Sequence, residues 1–167
     1  TVTDRSTLAD ARRVIETYGA PDVEAVRAVL NDERRETPKS LSSMTKTLVV
    51  AKAADALQAV RSKAEELGLD VHYLGDDVEG NACDLGAQHA ALALRLKTEG
   101  RKALILSGGE ATVEVKNPAG RGGPNMEYVL GAALAISGQT GISVLACDSD
   151  GIDGSEDAAG GFANGET

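Results

Sequence analysis

Apolar side chains recur every three or four residues in some stretches and in short runs in others, and the alternation of the two periods predicts the elements. After Ser6-Thr7, Leu8, Ala11, Val14, Ile15 and Tyr18 fall on one helical face up to Gly19. Beyond Pro21, Val23, Val26, Val29 and Leu30 mark a second, shorter helix. Residues 31–45 are polar, hold Pro38 and read as a linker. Leu48-Val49-Val50-Ala51 predicts a strand, and Leu57, Val60, Ala64 and Leu67 predict a helix closed by Gly68. Val71-His72-Tyr73-Leu74 predicts another strand, and Leu85, Leu92 and Leu96 a helix running to Gly100. Ala103-Leu104-Ile105-Leu106 and the alternating Thr112-Val113-Glu114-Val115 predict an antiparallel hairpin, because only Ser107-Gly108-Gly109-Glu110 and Ala111 separate them. A helix from about Asn125 to Ile136 and a strand from Ile142 to Ala146 complete the series. Strand, helix, strand, helix signals an α/β fold, here a three-layer α/β/α arrangement with a mixed, mostly parallel sheet and one antiparallel hairpin.

Composition narrows what such a fold can do. The chain has 167 residues, with 17 Lys plus Arg against 26 Asp plus Glu and a net charge of −9. That balance disfavours a nucleic-acid surface, since phosphate backbones are bound mainly by clustered cations. No apolar run approaches the roughly 20 residues that span a bilayer, so no membrane partner is expected. Cys83 and Cys147 are too few and too far apart for a disulfide framework, which fits a reducing, cytoplasmic setting. Thr1 opens the sequence without an initiator Met or a basic and apolar leader, so neither a secretory signal nor a complete protein is expected.

Charge and glycine are distributed unevenly. Residues 111–167 hold eight carboxylates but only Lys116 and Arg121 as cations, and 14 of the 19 glycines lie from Gly100 onward. Glycine admits close backbone approach to a ligand, so the chemistry is expected there. Three segments stand out. Ser107-Gly108-Gly109-Glu110 lies at a strand's C-terminal end, where open α/β sheets place ligands; a hairpin turn is the alternative. Gly120-Arg121-Gly122-Gly123-Pro124-Asn125 precedes a helix, whose unpaired amides and partial positive charge, with Arg121, would seat an anion. It matches neither Gly-x-Gly-x-x-Gly nor a Walker A run, and a surface loop with Asn125 as N-cap remains the alternative.

The third segment, Asp148 to Asp157, carries five carboxylates and no cation. An EF-hand is excluded: counted from Asp148, the glycine position is Asp153 and the bidentate glutamate position is Ala159. Mg²⁺ is the better candidate, because it is held by one or two carboxylates plus substrate phosphates; a solvated acidic turn is the alternative. His72 and His89 lack metal-like spacing to either cysteine and are taken as structural. Glu79, in a strand-to-helix loop, is taken as solvated.

Together the three segments resemble the C-terminal half of type-2 glycerate kinases, the family whose second region is the MOFRL domain and which is also labelled hydroxypyruvate reductase. The resemblance is carried by Ser107-Gly108-Gly109-Glu110 with Thr112-Val113, by Gly120-Arg121-Gly122-Gly123 with Asn125 and Glu127, and by Asp150-Gly151-Ile152-Asp153-Gly154 with Asp157-Ala158-Ala159-Gly160. Glu36-Thr37-Pro38-Lys39 resembles the family's inter-region linker. Pro124 replaces a basic residue of the family pattern, Met126 a Gln, Ala111 a Thr, and Ser155-Glu156 a Pro-Thr.

The resemblance implies a helical segment over 1–35 ending a preceding domain, a linker over 36–45, and a MOFRL-like domain over 46–167, with the chain a piece of a longer protein at both ends. It implies ATP- and Mg²⁺-dependent phosphorylation of D-glycerate to 2-phosphoglycerate in a cleft between two α/β regions, with the isolated piece inactive. Arg121, Asp150 and Asp153 would be catalytic. Ser107, Gly108, Gly109, Glu110, Gly120, Gly122, Gly123 and Asn125 would hold the nucleotide, and Asp150, Asp153 and Asp157 would face Mg²⁺. The implied partners are a small hydroxy acid and the remainder of the same protein; a homodimer is possible. Reduction of hydroxypyruvate with a nicotinamide cofactor is the enzymatic rival, and a non-catalytic cation- or anion-binding module is the alternative from another class.

Overall fold

In the computed structural model, which describes residues 3–19, 24–117, 119–155 and 157–166, the chain divides into two compact units, 1–50 and 51–167. In the first unit, helix α1 (Leu8–Tyr18) is capped by Thr7 through a reciprocal box: the Asp10 amide donates to Thr7 Oγ1 (3.1 Å) and the Thr7 amide to Asp10 Oδ2 (2.9 Å). Helix α2 spans Glu24–Leu30, and Val23 of the expected helix lies outside the described residues. The stretch expected as a linker touches α1 through Glu36, whose Oε2 accepts from the Leu8 amide (2.9 Å); Arg12 donates to the Leu30 carbonyl at the end of α2, and α3 (Glu33–Arg35) is a short 3-10 turn. None of these three helices contains a buried residue.

The strand expected over Leu48–Ala51 is absent. An extended segment becomes a strand only by pairing its amides and carbonyls, and Leu48, Val49 and Val50 are 70–86% exposed with no ladder beside them.

The second unit begins with α4 (Ala53–Glu66), which ends as expected before Gly68. Strand β1 (Asp70–Asn81), helix α5 (Ala82–Thr98) and strand β2 (Ala103–Thr112) follow, and β1 and β2 pair in parallel from Asp70↔Ala103 to Asn81↔Thr112. This is the expected strand–helix–strand unit. Helix α6 (Pro124–Ala135) leads to β3 (Ser143–Cys147), which pairs antiparallel with β4 (Gly160–Asn164). The fold is therefore mixed α/β, with a parallel and an antiparallel pair in separate two-stranded sheets among the described residues.

The antiparallel partner is not the one expected. Ser107-Gly108-Gly109-Glu110 forms no turn: β2 runs straight through it to Thr112, and Val113, Glu114 and Val115 belong to no strand. Gly109, at φ +148°, lies where an added Cβ would sit 2.0 Å from the Val78 carbonyl oxygen, next to register shifts between Tyr73 and Val78. Its missing side chain lets the strands close at an irregularity rather than reverse. Strand β4 went unanticipated because two glycines and an asparagine in five residues read as loop.

The core lies between α5 and α6. Ala90, Ala132 and Ile136 are at most 3% exposed, with Leu94, Ile142 and Val144 packed against them. The helices touch backbone to backbone: a Cβ on Gly86 would lie 2.1 Å from the Tyr128 carbonyl oxygen, and one on Gly131 2.3 Å from that of Cys83. Beside this seam, the Tyr128 hydroxyl and His89 Nδ1 share a 2.8 Å hydrogen bond with the rings edge to face at 5.7 Å. Burial holds the His89 pKa below its ordinary value and raises that of Tyr128. No helix of the described residues is long and apolar enough to cross a membrane.

Two outcomes follow from this seam. Gly86→Ala should destabilise the chain by about 1–3 kcal/mol, because neither backbone can retreat, and a lowered urea midpoint would show it. The neutral imidazole is favoured in the folded state, so the His89 contribution is present above the unfolded value of 6.5 and is lost as pH falls through the lower folded value. Thermal unfolding at about pH 7.5 and 5.5 should show a smaller acid-side loss of Tm in His89→Gln than in the parent.

Candidate functional site

Two loops meet at the N-terminus of α6. One, 113–123, leaves β2; the other, 148–159, joins β3 to β4. Pro124 occupies the first helical turn, where its missing N–H costs nothing, and Gly123 precedes it in extended conformation. The next two amides point outward from the helix and find Asp153. Its Oδ1 accepts from the Asn125 amide (3.0 Å) and the Asn125 side-chain Nδ2 (3.3 Å), and its Oδ2 accepts from the Met126 amide (2.8 Å). Asp153 is 0% exposed and is the one buried charged side chain among the described residues.

Backbone contacts lock the rest of the second loop onto the first. The Ser155 amide donates to the Gly122 carbonyl (3.3 Å), and Ser155 Oγ lies 3.4 Å from both the amide and the carbonyl oxygen of Gly122. The Asp153 amide donates to the Ala158 carbonyl and that of Asp148 to Ala159, each at 2.7 Å. Gly154, at φ +68°, fits only without a side chain, since a Cβ would lie 2.4 Å from the Gly122 carbonyl oxygen.

Beside this lock is an open hollow of about 440 Å³ lined by Arg121, Gly122, Met126, Asp157 and Ala158. A guanidinium from one loop and a carboxylate from the other thus share one concavity, which suits a ligand carrying both anionic groups and a bound cation. Met126 and Ala158 were not anticipated. Met126 follows the expected cap by one residue, so its place in the first helical turn is the signal that would have found it.

The structure separates the other candidate residues. Ser107, Gly108, Gly109 and Glu110 lie within β2 and do not line the hollow. The expected amide seat at Asn125 is already filled, because Asp153 supplies the anion. Asp153, expected as a metal ligand, has both its oxygens accepting from N–H donors and none of its surface accessible. Gly123 serves this contact, since a Cβ there would lie 2.4 Å from Asp153 Oδ1. Gly120 closes a turn onto the Asn117 carbonyl (2.9 Å), and Asp150 caps the Ile152 amide (3.2 Å) in its own loop. Glu156 lies outside the described residues.

No three His, Cys, Asp or Glu side chains gather to hold a metal among the described residues. Among the described carboxylates of the acidic loop, Asp157 lines the hollow, and Asp150 is exposed on the same loop outside that lining. One carboxylate is the fewest that Mg²⁺ takes from a protein, since that ion binds through one or two carboxylates and completes its shell with phosphate oxygens and water.

The chain is similar to known proteins in sequence and fold. Residues 103–167 match the MOFRL family. Over 96% of the chain, an Agrobacterium vitis protein named "Putative hydroxypyruvate reductase" is 44% identical, and over 98% the D-glycerate 2-kinase of Thermotoga maritima is 36% identical. The crystal structure of Thermotoga maritima glycerate kinase superposes on 97% of the chain with a TM-score of 0.73 and 34% identity. The chain spans 37% of the first of these relatives, 39% of the second and 39% of the solved structure, about two-fifths of each. Residues 103–167 are thus similar to the MOFRL family, and the chain as a whole is similar to part of the glycerate 2-kinases and hydroxypyruvate reductases so named.

Proposed function

We propose that this chain supplies part of the active site of an ATP-dependent glycerate 2-kinase, which transfers the γ-phosphoryl group of ATP to the 2-hydroxyl of D-glycerate. The single observation that carries this is the hollow shared by Arg121 and Asp157. Relatives named glycerate 2-kinase and D-glycerate 2-kinase, from Pyrococcus horikoshii and Thermotoga maritima, support it.

The hydroxyl oxygen attacks the γ-phosphorus, the bond to the leaving ADP oxygen breaks, and the hydroxyl proton is released. Such a transfer asks for positioning and charge neutralisation more than covalent chemistry. Arg121, a planar two-pronged cation, would hold a phosphate or the glycerate carboxylate. Mg²⁺ supplies neutralisation of the phosphates when bound, and Asp157, with Asp150 from the same loop, would hold it. Gly122 and Ala158, without bulk, leave the walls open to a polyanion. Because the chain spans about two-fifths of its relatives, turnover is assigned to the whole protein, and the chain alone is expected to be inactive.

Reduction of hydroxypyruvate is the second reading, favoured by the name of the 44% identical relative. In the whole protein, ADP release that depends on D-glycerate and Mg²⁺ supports the kinase; oxidation of NADH by hydroxypyruvate without ATP supports the reductase. Arg121→Ala should lower kcat/KM for phosphoryl transfer by about 10²–10³-fold, the cost of losing one charge-stabilising donor. Near-parental turnover in that variant would exclude Arg121 from the reaction.

A further inference from the structure

A negative side chain buried without a cation beside it normally signals a ligand or a structural need that outweighs its desolvation. Among the described residues Asp153 meets that condition, with three N–H donors: two backbone amides of α6 and the Asn125 carboxamide. Its neighbours are shaped around it. Gly123 clears its Oδ1, Gly154 clears the Gly122 carbonyl, and the Asp153 amide is itself fixed to Ala158. Gly122 and Ala158 are wall residues of the hollow, and the residue that carries the carboxylate is bonded through its own amide to Ala158 and packs on Gly123, the neighbour of Gly122. It also holds the helix-end amides that would otherwise be the obvious place for a phosphate.

We propose that Asp153 is a positioning residue, a built-in anion that fills the amide seat of α6 and clamps the Arg121–Gly122 wall against the Asp157–Ala158 wall. The ligand's own anionic group is thereby left to Arg121 and not to the α6 amides. This rests on the kinase reading only for its activity measurements.

The whole protein carries the test, as Asp153→Asn and Asp153→Ala. Asn keeps the shape but turns one acceptor into a donor facing an amide, so it reports the contact even where Ala fails to fold. Amide hydrogen exchange should speed up at Asn125 and Met126 in Asp153→Asn; exchange unchanged from the parent overturns the proposal. Under D-glycerate and ATP, kcat should fall by about 10–100-fold, as for a misplacement on the ångström scale, while KM for ATP and the Mg²⁺ concentration for half-maximal rate stay within about threefold. A kcat within twofold of the parent overturns the proposal, and so does a roughly tenfold shift in the Mg²⁺ requirement, which would make Asp153 a metal ligand. In folded Asp153→Ala, added formate should refill the seat and restore part of the lost kcat, and no restoration counts against it. Absence of glycerate-dependent ADP release in the parent defeats the kinase reading alone, because the exchange measurement still decides the role of Asp153.

Discussion

The α6 N-terminus presents amides that no residue within the helix can satisfy, and a carboxylate from a loop 27–28 residues further along the chain satisfies two of them. That contact joins parts of the chain which separate elements deliver: one loop hangs from β2, the other from the β3–β4 pair. A cap from the residue just before a helix orders only that helix. A cap from a distant loop orders both partners, and here the partners are the two walls of the hollow.

Such a contact needs a stable floor, which the α5–α6 seam provides. Gly86 and Gly131 bring the backbones together, and the small residues Ala90 and Ala132 continue the seam toward Ile136. On an adjoining face of α6, Val129 packs against Gly161 of β4. The helix whose N-terminus faces Asp153 is therefore gripped by another helix and by the strand that follows the acidic loop. Coulomb attraction and close packing act on the same element, so the loops need little contact of their own with the core.

Much of this was legible in the sequence because it is periodic. Leu57, Val60, Ala64 and Leu67 gave α4 and its end at Gly68, and the strand–helix–strand order gave the parallel pair β1–β2. The glycine-rich and aspartate-rich loops were found by composition, and Arg121 and Asp157 do share a concavity. What pattern could not supply is direction. Five aspartate and glutamate side chains in ten residues look alike as a string, and only three-dimensional placement turns Asp153 inward and Asp157 onto the hollow. Likewise Ser107-Gly108-Gly109-Glu110 has the residues of a turn, but the neighbouring strand needed a place to approach closely, and β2 continued. Leu48-Val49-Val50 has the residues of a strand and lacks a neighbour to pair with.

The glycine seam carries one more consequence, concerning motion. Two helices separated by a layer of long side chains can shear past one another as those side chains change rotamer; backbones in direct contact have no such bearing surface. Helices α5 and α6 must then move as one body, and any opening or closing of the hollow has to be taken up by the chain segments on either side of it. Glycine at positions 86 and 131 thus acts as a weld, confining compliance to the part of the molecule where a ligand would have to enter and leave.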